Sequence, residues 1–440
     1  MLIPGEEAFE SHILNKIKAE AHDLNSSRDL DQLIQKGGDA HFVLLGEASH
    51  GTHEYYTWRT AISKRLIIEK GYSFIGVEGD WPDCYRLNRY VKGYSDSGKS
   101  AYEVLNNFNR WPTWMWANWE VVALAEWMKK HNEGLPIEKK VGFYGLDVYS
   151  LGESIEAILN YLEKSDPKAY LTALKAVECF EPYSFEGIDY ARSTQFVPKN
   201  CEKEVVDLLR DIRTNISNYN TDVETVFSTE QNALVALHAE NYYREMIKGG
   251  PRSWNIRDMH MVDTLNRLMD FHGEQAKAIV WEHNTHIGDA RATNMTKHGM
   301  INVGQLLSSQ YKGKGVIKLG FGSYQGAVIA SRSWGEAMHK MIVPKGIEGS
   351  WEFLLNKAGV ENKIIFLDQW REDSNFDWPI AHRAIGVIYH PEKEYIGNYV
   401  LSIIPQRYDL FIYINTTKAL NPLHIRPDGH QIPDTYPWGF

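Results

Sequence analysis

Residues that handle protons are crowded into one short stretch of the chain. Residues 44–59 read LLGEASHGTHEYYTWR, so an apolar run is followed within a few positions by Glu47, His50 and Arg59. An imidazole with a pKa near its usual value of about 6.5 accepts and returns a proton at neutral pH. A neighbouring carboxylate fixes the tautomer of such an imidazole. The stretch therefore predicts acid–base chemistry.

Similar side chains follow three further apolar runs. The sequence places Glu78 and Asp80 after YSFIGV, Asp147 after VGFYGL, and His283 and His286 after KAIVW. In an open parallel sheet, ligands bind beyond the carboxyl ends of the strands, so these residues are expected at one edge. Charged groups at the inner ends of buried strands are rarely without a function. The strongest candidates are Glu47, His50, Glu78, His283 and His286.

Other polar residues nearby have structural interpretations that remain open. Asp80 precedes Trp-Pro and is expected to be a helix N-cap. Asp147 fits a loop or a ligand-binding group equally well, and His53 is expected to support the site or to face solvent. Arg59 is either an exposed helical arginine or a group that faces the site.

The elements that position these residues alternate along the chain. Amphipathic helices are predicted over residues 54–70 and 257–272, among others. Short apolar runs bounded by Gly or polar residues predict buried strands. These runs are HFVLLGE, YSFIGVEG, KVGFYGLD, KAIVWEH, GVIKLGFG, NKIIFLD, AIGVIYH and YDLFIYI. The alternation predicts an α/β fold with a mostly parallel β-sheet flanked by helices.

Residues from about 151 to 275 carry helical patterns and almost no strand signal. We interpret them as a large helical insertion beside the sheet. No Pro- or Gly-rich linker separates them from the rest, so residues 1–440 are expected to form a single catalytic domain.

The amino-acid composition limits the kinds of molecule that the protein is expected to bind. A net charge of −10 argues against nucleic acid or an anionic membrane, and a small or neutral substrate fits better. No apolar run approaches the ~20 residues of a membrane span, and the start, MLIPGEEAFE, does not resemble a signal peptide. The three cysteines, Cys84, Cys179 and Cys201, lack a CxxC spacing and are expected to be packing residues in a reducing compartment. We therefore expect a cytoplasmic protein.

Familiar motifs are mostly absent. Residues 93–100, GYSDSGKS, match the phosphate-loop pattern, but a charged, helix-like segment precedes them where a phosphate loop follows a strand. HEYYT at residues 53–57 lacks the second His of the zinc motif HExxH. No GxSxG nucleophile elbow occurs. We predict neither a cofactor nor a bound metal.

Five sequence blocks carry a resemblance. LLGEASHGTHEYYTWR, GVEGDWPDCYRLNRYV, YGLDVYS, IRDMHM and WEHNTHIGDAR resemble the erythromycin esterase family, which includes proteins labelled succinoglycan biosynthesis proteins. The blocks span residues 40–330, and QRYDLFIYI near the C-terminus also fits. Macrolide-cleaving enzymes are a small part of this family, so antibiotic inactivation is one activity that the resemblance allows.

The resemblance implies hydrolysis of a carboxylic ester or lactone by activated water. It implies His50 as the general base, with Glu47, Glu78, Arg59, His283 and His286 around it. Arg59, or a protonated His283 or His286, is expected to face the developing negative charge. The sequence departs from the family at Glu282, where a small residue is expected before His283.

A tryptophan-rich stretch is the second unusual feature. Residues 110–120, RWPTWMWANWE, contain Trp111, Trp114, Trp116 and Trp119. Indoles provide rigid apolar faces for a cleft wall over a bulky ligand, or for packing between the insertion and the sheet. We predict substrate contacts for Trp111, Trp114, Trp116 and Asp147.

Two other functions stay open from the sequence. The carboxylates and imidazoles could hold Zn²⁺ or Mn²⁺ in a metal-dependent hydrolase or peptidase. A binding or accessory protein could also retain such a cleft without turnover. The sequence specifies neither the ester substrate nor the oligomeric state.

Overall fold

The structure, a computed structural model, describes residues 6–183, 187–194, 200–219, 222–312 and 315–425. The strands are β1 (His22–Asp23), β2 (Phe42–Leu45), β3 (Phe74–Asp80), β4 (Gly142–Asp147), β5 (Ala278–Trp281), β6 (Val316–Ala330), β7 (His339–Val343), β8 (Lys363–Phe366), β9 (Ile380–Arg383), β10 (Tyr399–Ser402) and β11 (Leu410–Thr417).

The α-helices lie between most of these strands. They are α1 (Glu6–Glu20), α2 (Asp31–Gly37), α3 (His53–Lys70), α4 (Trp81–Lys92), α5 (Ala101–Asn106), α6 (Trp119–Asn132), α7 (Leu151–Ser165), α8 (Pro167–Phe180), α9 (Gly187–Thr194), α10 (Glu202–Asn215), α11 (Val223–Met246), α12 (Arg252–His272), α13 (Asn284–Ile287), α14 (Val303–Gln310), α15 (Trp351–Ala358), α16 (Glu394–Gly397) and α17 (Ile404–Arg407). Within the described ranges, no helix is long and apolar enough to cross a membrane.

One large sheet organises the molecule, with the strand order β1-β8-β11-β6-β2-β5-β3-β4. The six strands from β11 to β4 run parallel to one another, while β8, β1 and β7 pair antiparallel at the margins. The predicted mostly parallel α/β fold is therefore confirmed. Since β2, β5, β3 and β4 are neighbours, the residues that follow them meet at one edge.

Alternate residues of the central strands pack into two different cores. Val43 and Ile75 face the side covered by α3 and α6, whereas Leu44 and Phe74 face the side covered by α12. Both sets are fully buried, which explains why these short strands read as continuous apolar runs. Helices α7 to α12 connect β4 to β5 along the chain. Treating this region as an insertion within a single domain remains a prediction.

Two expectations are corrected by the structure. Residues 384–390, AIGVIYH, form no strand, because Ile385 and Ile388 make only isolated bridges, to Ser49 and Ser331. An apolar run forms a strand only where a partner strand continues alongside it.

The second correction concerns the cysteines. Cys179 at the end of α8 and Cys201 just before α10 form a disulfide with a Cα–Cα distance of 5.9 Å. The absence of a CxxC spacing did not reveal this pair, because the folding of the helices brings together residues 22 positions apart. Cys84 is a buried free thiol, as expected. The cysteines therefore no longer support a reducing compartment, and the cytoplasmic location remains a prediction.

Candidate active site

His50 lies in the loop that follows β2 and contacts a carboxylate on each side. Its Nδ1 is 2.9 Å from Oε1 of Glu47, and its Nε2 is 3.9 Å from Oε1 of Glu78. Burial opposes the charged imidazolium, but the negative charges of Glu78 and Glu47 outweigh it and raise the pKa of His50 above its usual value. The imidazole is thus a stronger base than a free histidine.

Arg59 lies behind Glu47, on α3. Its Nη2 donates to Oε2 of Glu47 over 2.7 Å, and its guanidinium packs over the rings of Tyr56 and Trp281. The side chain is fully buried and does not line the cavity described below. The expectation that Arg59 faces the developing charge is therefore corrected: Arg59 contacts the carboxylate of Glu47, which in turn contacts His50.

Glu78, near the end of β3, connects the histidines to a second arginine. Its Oε2 accepts the backbone N–H of His283 over 2.8 Å, and its Oε1 accepts from Nη2 of Arg257 over 2.7 Å. Although burial opposes ionisation, the neighbouring groups His286, His50 and Arg257 favour the charged form and keep the pKa of Glu78 below its usual value. Glu78 is therefore a carboxylate at neutral pH.

Arg257, on α12, is the cation at the centre of the site. Its Nε and Nη2 donate to the two oxygens of Asp147 over 2.9 and 2.6 Å. Its Nη1 lies 3.0 Å from Nε2 of His286. Burial disfavours its charge, but Asp147, Tyr149 and Glu78 raise the pKa of Arg257 well above its usual value. The guanidinium stays charged and faces the cavity.

His286 is neutral in this arrangement. A guanidinium can only donate, so Nε2 of His286 accepts from Arg257 and Nδ1 carries the proton. This Nδ1 lies 3.0 Å from both oxygens of the buried Asp258, and the indole of Trp254 stacks on the ring. A protonated His286 facing the substrate, one of the expected arrangements, does not fit these contacts.

His283 is neutral as well. Its Nδ1 lies 2.8 Å from the hydroxyl oxygen of Thr285 and 3.3 Å from the backbone nitrogen of the same residue. Burial and the charge of His50 lower the pKa of His283 well below its usual value. The rings of His50 and His283 lie 4.9 Å apart.

Glu282, the departure from the family pattern, adds no charge. It is fully buried, and neither carboxyl oxygen has a hydrogen-bond partner among the residues that the structure describes. Burial, together with the negative charges of Glu78 and Asp258, raises the pKa of Glu282 well above its usual value. The residue is an uncharged acid beneath the site.

A cavity of about 120 Å³ opens above His50 and Glu78. Its polar floor also includes Asp147 and Arg257, and its mouth is largely aromatic. The mouth contains the apolar or aromatic residues Phe108, Trp111, Pro112, Met115, Trp116, Tyr149, Trp334 and Val387, together with the polar residues Asp80, Asp83, Arg110 and Thr113. The site thus combines proton-handling groups with an apolar entrance.

The expected tryptophans divide between this cavity and its support. Trp111 and Trp116 line the cavity, and Nε1 of Trp116 donates to the backbone oxygen of Glu78 over 3.0 Å. Trp114 is buried behind Trp111, edge-on at 5.6 Å, so the expected direct substrate contact by Trp114 is corrected. Trp119 stacks on Tyr102 in the core.

The structure locates Asp80 and His53, two residues whose roles the sequence left open. Asp80 occupies the N-cap position of α4, but its side chain makes no capping bond and instead accepts from Arg110 over 2.9 Å. His53 begins α3 and pairs with Glu120 at 2.6 Å, away from the cavity.

Residues 93–100 follow helix α4 rather than a strand, so the phosphate-loop match is accidental.

Sequence reasoning missed Arg257 and Asp258. Both belong to the block IRDMHM, and a charged pair inside the amphipathic pattern of residues 257–272 was the available signal. Their position next to Glu78 and His286 depends on how α12 packs against the sheet, which the sequence does not reveal.

Comparisons with known proteins show which solved structures share this fold and which family model matches the chain. A succinoglycan biosynthesis protein of known structure is 18% identical, with a TM-score of 0.75 over 94% of this chain and 98% of its own. A protein from Bacillus cereus is 21% identical, with a TM-score of 0.77 over 93% and 98%.

A mutant of the erythromycin esterase EreC, in an open conformation, is 13% identical, with a TM-score of 0.65 over 90% of this chain and 95% of its own. These likenesses show a shared fold. The sequence model described as Erythromycin esterase matches residues 67–417, most of the chain. The chain belongs to the erythromycin esterase family.

Proposed function

We propose that the protein hydrolyses a carboxylic ester or lactone of a small molecule, using a water molecule activated by His50. Family membership implies a hydrolase that acts on ester bonds. The observation that supports the finer proposal is the gap between Nε2 of His50 and Oε1 of Glu78. At 3.9 Å it is too long for a hydrogen bond, yet one water can bond to both atoms.

The proposed reaction begins with proton transfer from this water to Nε2 of His50. The hydroxide forms a bond to the carbonyl carbon of the ester, and the carbonyl electrons move onto its oxygen. Glu47 stabilises the resulting imidazolium through the Nδ1 contact of 2.9 Å. When the intermediate collapses, the bond to the alcohol oxygen breaks and His50 returns its proton to that oxygen.

Arg257 is the proposed partner of the oxyanion. Its bonds to Asp147, Glu78 and His286 use four of its five N–H groups, which leaves one Nη1 hydrogen. The guanidinium is charged, faces the cavity and is held on three sides, so it needs little reorganisation as negative charge develops. In this role Asp147 positions Arg257 rather than the substrate.

The same residues can replace a metal ion in this proposal. Arg257 supplies positive charge, and the Glu47–His50 pair supplies the base, so the mechanism requires no Lewis acid. Independence from metal ions stays a prediction, and it is tested by chelation below.

The aromatic mouth suggests which part of the substrate lies outside the cavity. About 120 Å³ is well below the ~300–1,000 Å³ typical of pockets for drug-sized ligands. We propose that the ester group occupies the polar floor while Trp111 and Trp116 contact the adjoining apolar part. Erythromycin is the first large substrate to test, because the family is described by its esterase activity on that compound.

The experiment compares His50→Asn with His53→Asn as the matched control. His53 lies three positions away and pairs with Glu120, but does not line the cavity. We expect His50→Asn to lower kcat on activated esters by about 10²–10⁴-fold, while His53→Asn stays near the wild type. The unfolding midpoints of both variants report whether they remain folded.

Two results would contradict this proposal. A folded His50→Asn protein with near-normal turnover would exclude the base. A wild-type protein that turns over no ester in a broad panel, but binds one, would favour a non-catalytic binding protein.

A further inference from the structure

Residues 331–338, the loop between β6 and β7, bring one more indole to the cavity. The ring of Trp334 lies 4.4 Å from that of Trp111, at an angle of 53°. Both residues line the cavity that contains His50 and Glu78. Trp334 is nevertheless 52% exposed, so a large apolar face borders both the cavity and solvent.

Hydrogen bonds hold this loop against the mouth. Nε1 of Trp111 donates to the backbone oxygen of Glu336 over 2.9 Å, and the hydroxyl of Ser331 donates to the same oxygen over 2.9 Å. The backbone N–H of Ser331 donates to Val387, another residue of the mouth. Polar contacts therefore hold the loop that carries Trp334.

Exposure alone does not distinguish Trp334. Trp378 is 54% exposed, but it does not line the cavity. What sets Trp334 apart is its contact with Trp111 at the cavity that also contains His50. A rigid aromatic surface in that position offers dispersion contacts to a ring that emerges from the cavity.

The acidic groups near the mouth are already paired. Asp80 accepts from Arg110, and Asp83 accepts from Arg86. Burial raises the pKa of Asp83 to about 6, which leaves this carboxyl mostly charged at neutral pH, and the guanidinium of Arg86 balances that charge. The mouth therefore favours a neutral apolar ring over a cationic one.

We propose that Trp334 is a specificity-determining residue that favours esters carrying a neutral aromatic or saturated ring on the carbon next to the ester over short alkyl esters. This inference rests on the proposed esterase function. The ester group occupies the polar floor, and the ring lies against the surface that the packed indoles of Trp334 and Trp111 form together.

The test measures kcat/KM for benzyl acetate, cyclohexylmethyl acetate and ethyl acetate. In Trp334→Ala we expect the ratio of kcat/KM for either ring ester to that for ethyl acetate to fall about 10-fold. Trp334→Phe should retain part of the preference, because it keeps an aromatic face. Trp378→Ala, the matched control, should retain all of it.

Three outcomes would overturn the inference. The preference for ring esters over ethyl acetate could survive Trp334→Ala. Alternatively, kcat/KM could fall by the same factor for all three esters, which would indicate a structural role. Acetylcholine could be preferred to benzyl acetate in a Trp334-dependent way, which would indicate recognition of a cation.

Measurements of ligand binding can test this inference independently of the proposed function. N-benzylacetamide and N-ethylacetamide mimic the two esters, and their affinities can be measured without turnover. A wild-type protein that hydrolyses no ester would contradict the proposed function. In that case, a benzyl preference in amide binding that Trp334→Ala removes would still support the inference, and equal binding of both amides would overturn it.

Discussion

Replacing Glu47 by Gln tests how the proposed base is held. One carboxylate oxygen of Glu47 accepts a hydrogen bond from Nη2 of Arg59 over 2.7 Å, and the other lies 2.9 Å from Nδ1 of His50. In the variant, the amide oxygen remains with Arg59, so the NH₂ group faces His50. Nδ1 must then accept, the proton moves to Nε2, and the base is disabled. We expect kcat to fall by about 10³–10⁴-fold.

The same change leaves a buried cation without its counter-charge. Arg59 is 0% exposed, and its Nε and Nη1 have no hydrogen-bond partner among the described residues. Breaking a buried pair costs about 3–5 kcal/mol, and the hydrogen bond to the amide oxygen recovers about 1 kcal/mol. The free energy of unfolding should therefore fall by roughly 2–4 kcal/mol.

A double variant separates the two effects. Adding Arg59→Met to Glu47→Gln removes the stranded charge, so the denaturant midpoint should recover while kcat remains low. Glu120→Gln is the matched control, because Glu120 is a buried partner of His53 outside the cavity and its loss should spare kcat. The reasoning is refuted if Glu47→Gln keeps kcat within threefold of the wild type, or if the double variant is no more stable than the single one.

Three further predictions follow from the site and the disulfide. kcat/KM should rise with pH through an apparent pKa above about 6.5, because His50 must be neutral to act and nearby carboxylates raise its pKa; Glu78→Gln should move this midpoint to lower pH, and an unmoved midpoint would contradict the assignment. Activity should survive chelation and dialysis, whereas reactivation of chelated protein by one stoichiometric divalent ion would establish a metal-dependent mechanism. Replacing Cys179 and Cys201 by Ser should lower the free energy of unfolding by about 3 kcal/mol, with kcat on small esters unchanged, and an unchanged midpoint would argue against the disulfide.

The positions at which strands end could be predicted from the sequence, because the end of each strand depends on local signals. The runs before Glu47, Glu78, Asp147 and His283 are apolar and short, and alternating helices require parallel strands. Parallel strands in one sheet place their carboxyl ends at one edge, so the convergence of these residues needed no knowledge of long-range packing.

Other features depend on contacts that sequence patterns do not encode. The side of α3 that carries Arg59 turns toward Glu47 because Tyr56 and Trp281 pack there. Asp258 reaches His286 only because α12 crosses the sheet at that point. Trp334 was not recognised because it lies in a loop, where no periodic pattern exists to mark it.

The floor and the mouth of the cavity differ in a way that matters for evolution. The floor is built from strand ends and α12, where a substitution disturbs both stability and chemistry. The mouth is built from residues 108–116, from Tyr149 and from the loops that carry Trp334 and Val387. Substitutions there can change the accepted substrate without moving the base, so directed evolution toward new esters should randomise the loops and keep the floor constant.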